Sequence, residues 1–202
     1  MAYHTVMKTE TQLKKAFDTK GFNHGASSIK VLLWYFVDAL VFRSGIMPFS
    51  AVLVGILRLF GAKIGKDVRI KPFVHIKYPW RLTLGDHSWL ADCYIENLAP
   101  VIIGKNVCVS QQAMLLTGNH NFKLSTFDLI VNGITLEDGV WIGAKATVCP
   151  GVTCKSHSVL AVGSVATKNL ETYSIYQGNP AVKVKDRVIE MGYTNDARKR
   201  VG

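Results

Sequence analysis

The sequence predicts an all-β solenoid built from six-residue repeats and entered through a helical extension. Three observations carry this. Aliphatic residues recur every six positions from Ile64 onward. Glycine and small residues keep a fixed phase relative to them. Residues 1–60 lack that period and contain two strongly apolar stretches.

The helical extension, 1–60, comes first. Residues 29–42 and 46–60 are apolar but are interrupted by Lys30, Asp38, Arg43 and Arg58. Neither reaches the roughly 20 uninterrupted residues of a spanning helix. Two roles remain open. The helices cap the first coil, since an open solenoid end exposes apolar surface and strand edges. Alternatively, they lie on a membrane surface as monotopic elements. The opening residues carry no secretory signal pattern.

The coil is expected over 61–172. Its aliphatic positions are Ile64, Ile70 and Ile76; Leu84 and Leu90; Ile103, Val109 and Leu115; then Leu136, Ile142, Val148, Cys154, Leu160 and Ala166. Twelve of these fourteen are Ile, Leu or Val, far above their share of the chain. Glycine follows directly at Gly65, Gly85, Gly104 and Gly143. Four residues after the aliphatic stands a small or β-branched side chain, as at Val107, Ala113, Val140, Ala146, Val152, Ser158 and Ser164. Each unit reads as a short strand and a turn, with one side chain inward and glycine supplying unusual backbone angles. Three units close a triangular coil of about 18 residues, and stacked coils bury a continuous aliphatic column.

Between Leu115 and Leu136 the sixes fail. A solenoid ejects what does not fit as a loop, here 119–134, and such loops often carry function. The loop opens on His120 between Asn119 and Asn121 and contains Phe122, Phe127, Leu129 and Ile130, apolar residues suited to docking on an adjoining protein surface. The remaining residues, 173–202, form a C-terminal segment. Its Arg198-Lys199-Arg200 cluster reads as a solvated tail or a weak anchor for an anionic surface.

The motifs Gly139-Val140-Trp141-Ile142-Gly143-Ala144, Pro150-Gly151-Val152, Val162-Gly163-Ser164-Val165 and Gly178-Asn179-Pro180-Ala181 together resemble the hexapeptide-repeat acyltransferases. The stretches FGAKIG at 60–65, YPW at 78–80 and ENLAP at 96–100 resemble its colanic-acid-type O-acetyltransferase subgroup. The resemblance covers about residues 55–187. It implies a left-handed parallel β-helix, a hand that ordinary crossover rules would not choose. It also implies a homotrimer, acetyl-CoA as donor, no metal, and a sugar or polysaccharide-precursor acceptor.

By the same resemblance His120 is the general base. A sugar hydroxyl is too weakly acidic to ionise at neutral pH, and a neutral imidazole removes its proton as attack occurs. Ala144 and Val162 are implied to contact the coenzyme, Thr167 and Lys168 its nucleotide end, and Lys185 a phosphate. A lysine there offers a point charge where some members place a forked arginine. Val182 stands where others have a second arginine. Trp141 flanks the pantetheine arm or is simply a structural aromatic. Asp92 and Asn97 follow Leu90 in a turn and orient acceptor hydroxyls, unless Asp92 merely caps that turn. Asn119 or a backbone N–H is the candidate oxyanion donor. The site is expected to be half a site, requiring a second subunit's C-terminal coils with Thr167 and Lys168 to bring the thioester to His120.

Composition narrows the alternatives. The chain is 49% hydrophobic and 19% charged, which excludes a disordered chain. Its net charge of +10 favours polyanionic partners, but no basic groove with interleaved aromatics suggests nucleic acid. Cys93, Cys108, Cys149 and Cys154 form no metal or redox motif and read as free thiols in the cytoplasm. Cys149 or Cys154 as nucleophile is the weaker reading against core cysteine. A zinc-dependent branch of the same fold needs three histidines, and only His120 lies at the loop. A non-catalytic scaffold would need neither His120 nor Thr167-Lys168.

Overall fold

The computed structural model describes residues 10–13, 19 and 21–191. The Arg198-Lys199-Arg200 cluster lies outside the described residues.

Helix α1 spans Ser28–Val37, and the Ser27 hydroxyl caps it by accepting from the Lys30 N–H. A π-helical turn, Asp38–Phe42, follows, and helix α2 spans Ser50–Leu59. One side of this pair closes the first coil. Trp34, Phe42, Leu53 and Leu57 are buried against it. The Trp34 indole N–H donates to the Ile76 carbonyl at 2.8 Å. The Ser50 hydroxyl accepts from Ile70 N at 2.8 Å, and Arg58 donates to the carbonyls of Ile64 (3.0 Å) and Gly65 (2.7 Å). Backbone groups at the open end of the coil are thus satisfied by helix side chains. The other side of the pair stays apolar and exposed, with Ile29, Leu33, Phe36, Leu40, Phe49 and Leu59 all at or above 52%.

From Lys63 the chain winds as a parallel β-solenoid with three faces. The first stacks Lys63–Ile64, Leu82–Leu84, Val101–Ile103, Ile134–Leu136 and Thr153–Cys154. The second stacks Arg69–Ile70, Trp89–Leu90, Cys108–Val109, Trp141–Ile142, Val159–Leu160 and Ser174–Gly178. The third stacks His75–Ile76, Tyr94–Glu96, Met114–Leu116, Thr147–Val148 and Val165–Ala166. Thirteen of the fourteen predicted aliphatic positions are buried, and Ile64 is half-buried under α2. Each buried Leu or Ile stabilises the column by roughly 1.5–3 kcal/mol.

The phase slips have structural causes. A 3₁₀ turn, Pro79–Arg81, lengthens the passage from the third face back to the first. The inward residue after Leu90 is Ile95, five positions on, because the corner is tightened by one residue: Cys93 N donates to the Ala91 carbonyl at 2.8 Å. Elsewhere the corners contain a residue in left-handed backbone conformation. These fall at Gly139, Lys145, Gly151, His157 and Gly163, again six apart.

The glycines after the aliphatic positions correct one expectation. Gly65, Gly85, Gly104 and Gly143 are absent from the left-handed positions; Asp67, His87, Asn106 and Lys145 occupy them instead. What these glycines supply is room. A Cβ on Gly85 would lie 2.5 Å from the Gly104 carbonyl carbon of the next coil. At Gly65 and Gly104 the vacated space admits the carboxylates of Asp86 and Asp138, which accept from Lys66 N (2.8 Å) and Lys105 N (2.7 Å). The Lys66 N–H holds the Asp86 carboxyl below the usual range.

Gly85→Ala therefore lowers the melting temperature sharply, because backbone meets backbone and neither side gives. Gly55→Ala, in α2 with nothing within 4 Å, leaves stability equal or raises it by roughly 0.5–1 kcal/mol. Paired thermal melts check this, and equal melting of the two variants would contradict it.

Candidate active site

The break in the sixes is an antiparallel hairpin, Gly118–His120 with Leu129–Val131, ejected at the corner between the third and first faces. It occupies the core of the predicted loop. His120 pairs with Leu129 in the hairpin register. Its Nδ1 lies 2.8 Å from the Phe127 carbonyl, and the Phe127 ring stacks on the imidazole at 4.5 Å and 10°. A carbonyl only accepts, so Nδ1 carries the hydrogen in the neutral ring and Nε2 carries the lone pair. Phe127 reaches this position in left-handed backbone (φ 53°), a costly conformation for an aromatic residue and a common one at functional sites. The Asn119 side-chain oxygen accepts from His120 N at 2.8 Å and restrains the same residue. Of the other loop apolars, Phe122 is exposed, while Leu129 and Ile130 are half-buried.

A groove of about 650 Å³ lies over the C-terminal half of the second face. Trp141, Ala144, Val162 and Lys185 all line it, so four residues expected at the coenzyme site converge. Val162 stands out at 69% exposed, and the corner backbones stack through Gly163 N to Ala144 O at 2.9 Å. The Trp141 indole N–H donates to the Ser110 hydroxyl at 3.0 Å, which fixes the ring as a wall.

Thr167 and Lys168 do not join this groove. They are exposed at the corner between the third and first faces, along the same edge as the hairpin. The predicted residues therefore divide into two sets. Asn119, His120, Thr167 and Lys168 share one edge of the prism; Trp141, Ala144, Val162 and Lys185 line the opposite face and its corner. Asp92 sits at the tightened corner with a buried Oδ1 that lacks a hydrogen bond. Asn97 is fully buried and spends its amide on Tyr78, accepting from its N–H (2.8 Å) and donating to its carbonyl (2.7 Å). That side chain ties two coils together and does not face solvent.

Arg187 is the residue that sequence reasoning missed. It follows the antiparallel strand Ala181–Asp186, which folds back on Ser174–Gly178. Its Nη1 donates to the carbonyls of Gly139 (2.9 Å) and His157 (3.1 Å), and it lines the groove beside Lys185. No repeat position marks it; only the spacing across that hairpin would have. The cysteines are poor nucleophiles. Burial pushes the Cys93 and Cys154 thiols up to about 12, and it raises Cys108 and Cys149 as well.

Parallel hexapeptide coils with a single ejected histidine hairpin define a hexapeptide-repeat β-helix. No family model matches the chain. It is 38% identical over 170 residues to a protein of Escherichia coli (strain K12) named "Putative colanic acid biosynthesis acetyltransferase WcaF", a match covering 84% of this chain and 93% of that one. It is 26% identical over 129 residues to the galactoside O-acetyltransferase of Escherichia coli, covering 62% and 64%. A crystal structure of a hexapeptide-repeat acetyltransferase from Vibrio cholerae with acetyl coenzyme A superposes with a TM-score of 0.73 at 22% identity, covering 82% of this chain and 92% of that one. The fold is thus the left-handed β-helix that the resemblance implied. The chain belongs to the hexapeptide-repeat acetyltransferases.

The hydrogen bond to Phe127 sets an expected outcome. At pH 8, ¹⁵N NMR of His120 shows a protonated Nδ1 and an unprotonated Nε2. The opposite tautomer would remove the lone pair from the position that the hairpin prepares.

Proposed function

We propose that this acetyltransferase moves the acetyl group of acetyl-CoA to a hydroxyl of a sugar or polysaccharide precursor, with His120 as general base. The observation that carries the reading is the Nδ1–Phe127 carbonyl bond, which presents Nε2 as the acceptor of a proton. The acceptor hydroxyl loses its proton to Nε2 as its oxygen attacks the thioester carbonyl carbon. The tetrahedral intermediate collapses with cleavage of the C–S bond. The proton on His120 then passes to the departing thiolate, and the imidazole is neutral again. No acyl-enzyme is needed, consistent with four thiols whose ionisation burial opposes. The groove of Trp141, Ala144 and Val162 suits a long, largely apolar pantetheine arm, and Lys185 suits its phosphates. The similarity to a colanic acid acetyltransferase and a galactoside O-acetyltransferase supports a glycan acceptor.

The working unit is a homotrimer. The histidine edge and the groove lie on opposite sides of the triangular coil, so no single copy closes the site. Placing the edge of one copy over the groove of the next completes it, and repeating that heterologous contact closes a ring. Thr167 and Lys168 then meet the coenzyme from the copy that supplies His120. We place the enzyme in the cytoplasm at the inner membrane surface. No described helix is long and apolar enough to cross a membrane. The exposed stripe Ile29, Leu33, Phe36 and Leu40, with Arg43, Arg58 and Lys63 nearby in the chain, suits peripheral contact with anionic lipid.

His120→Ala lowers turnover of acetyl-CoA with an acceptor panel by about 10²–10⁴-fold, while coenzyme A affinity stays within about threefold. Retention of full turnover would overturn the role of His120. Vesicles containing phosphatidylglycerol carry the protein upward in a flotation gradient, and Phe36→Glu weakens this. Protein that stays at the bottom with such vesicles contradicts the membrane placement.

A further inference from the structure

Trp141 is a wall with two sides. Toward the C-terminus it borders the groove assigned above to the coenzyme. Toward the N-terminus it borders a second chamber of about 400 Å³, which has no role in the reading so far. The register of the second face puts Trp89, Cys108 and Trp141 directly above one another on its outer surface. The two indoles therefore project from strands two steps apart, roughly 9–10 Å at ordinary strand spacing. A ring held by contacts on both faces needs about 7–8 Å. The gap fits a saturated sugar ring, with side-chain tilt taking up the remainder. Both indoles are partly open to solvent, Trp89 at 39% and Trp141 at 47%.

The charge of the chamber is one-sided. Lys71 and Arg187 line it, and no carboxylate does. The Arg69 guanidinium lies 4.9 Å and the Lys71 ammonium 5.8 Å from the Trp89 ring centroid, so cations lean on the far wall. Arg187 is anchored through Nη1 to two carbonyls, which leaves its remaining N–H groups for an anion. The floor offers the Ser110 hydroxyl and the Cys108 thiol, small groups that leave room for a ring.

We propose that the chamber between Trp89 and Trp141 receives an anionic sugar ring as acceptor, with the indoles stacking on its faces and Lys71 and Arg187 binding its carboxylate or phosphate. This rests on the acetyl-transfer reading and adds the class of acceptor to it. Trp141 then separates donor from acceptor, and His120 of a second copy meets them where the two cavities share Ser110 and Gln111.

The test is equilibrium binding to the intact protein saturated with coenzyme A, followed by tryptophan fluorescence. The probes are glucose, glucuronate and glucose 1-phosphate. Both anionic sugars bind at least about tenfold tighter than glucose. Preference for glucuronate identifies a carboxylate ligand, and preference for glucose 1-phosphate a phosphate. Lys71→Gln removes most of the advantage of the anionic sugars over glucose. Trp89→Ala weakens the anionic probes at least about tenfold, and Trp89→Phe restores most of that loss. Coenzyme A affinity and melting temperature serve as controls and stay unchanged in the Lys71 and Trp89 variants. Equal binding of glucose and the anionic sugars, or unchanged anionic-sugar binding in both Lys71→Gln and Trp89→Ala, would overturn the proposal. Absence of coenzyme A binding in the unaltered protein would instead sink the transfer reading on which it rests.

Discussion

Stacking at one strand spacing per coil is the constraint on which the rest of this protein depends. Parallel hydrogen bonds run from each coil to the next on all three faces, and they hold only if the coils stay in contact at the corners too. Gly85 and Gly104 exist for that contact: a single Cβ would push backbone from backbone. The same tightness explains the hairpin. Residues that supply neither an inward aliphatic nor a corner have no place in the stack, so the chain from Gly118 to Val131 leaves it as a separate antiparallel pair. The catalytic histidine of the proposed mechanism is thus carried by the one segment freed from the repeat.

The triangular cross-section has a second effect. A residue's place in the hexapeptide count decides which face or corner it occupies, whatever its distance along the chain. His120, Thr167 and Lys168 share an edge although 46 residues separate His120 from Thr167. Trp141 and Ala144, closer to His120 in sequence, lie across the prism from it. Separation of His120 from the groove is therefore a property of the coil's geometry.

The coil was legible because its signal is periodic and many times repeated. The inward column needs aliphatic residues at every step, so chance substitutions at Cys154 or Ala166 do not erase the pattern. The corner between Leu90 and Ile95 was not legible. Its shortening depends on a backbone turn at Asp92, and no residue type announces that. Glycine was read correctly in place but for the wrong reason, since sequence does not distinguish a demand on dihedral angle from a demand on space. In the site, residues inside the repeat motifs, Trp141, Ala144 and Val162, fell together as expected. Asn97 did not, because its burial comes from the 3₁₀ turn at Pro79–Arg81 and its partner Tyr78. Arg187 lies beyond the last coil, where the period has ended and only tertiary folding brings it back.

The strand Ala181–Asp186 runs antiparallel to every other strand of its face. A stack of parallel, in-register strands is a template that accepts any further strand of the same kind, including one from another molecule. Reversing the last strand changes the hydrogen-bond spacing presented at that end, and Lys183, Lys185 and Asp186 put charge along it. At the opposite end, α2 and its Arg58 occupy the carbonyls that an incoming strand would use. The second face is thus in effect a short length of fibril whose last parallel strand is covered by a reversed one, while α2 closes the first coil at the other end.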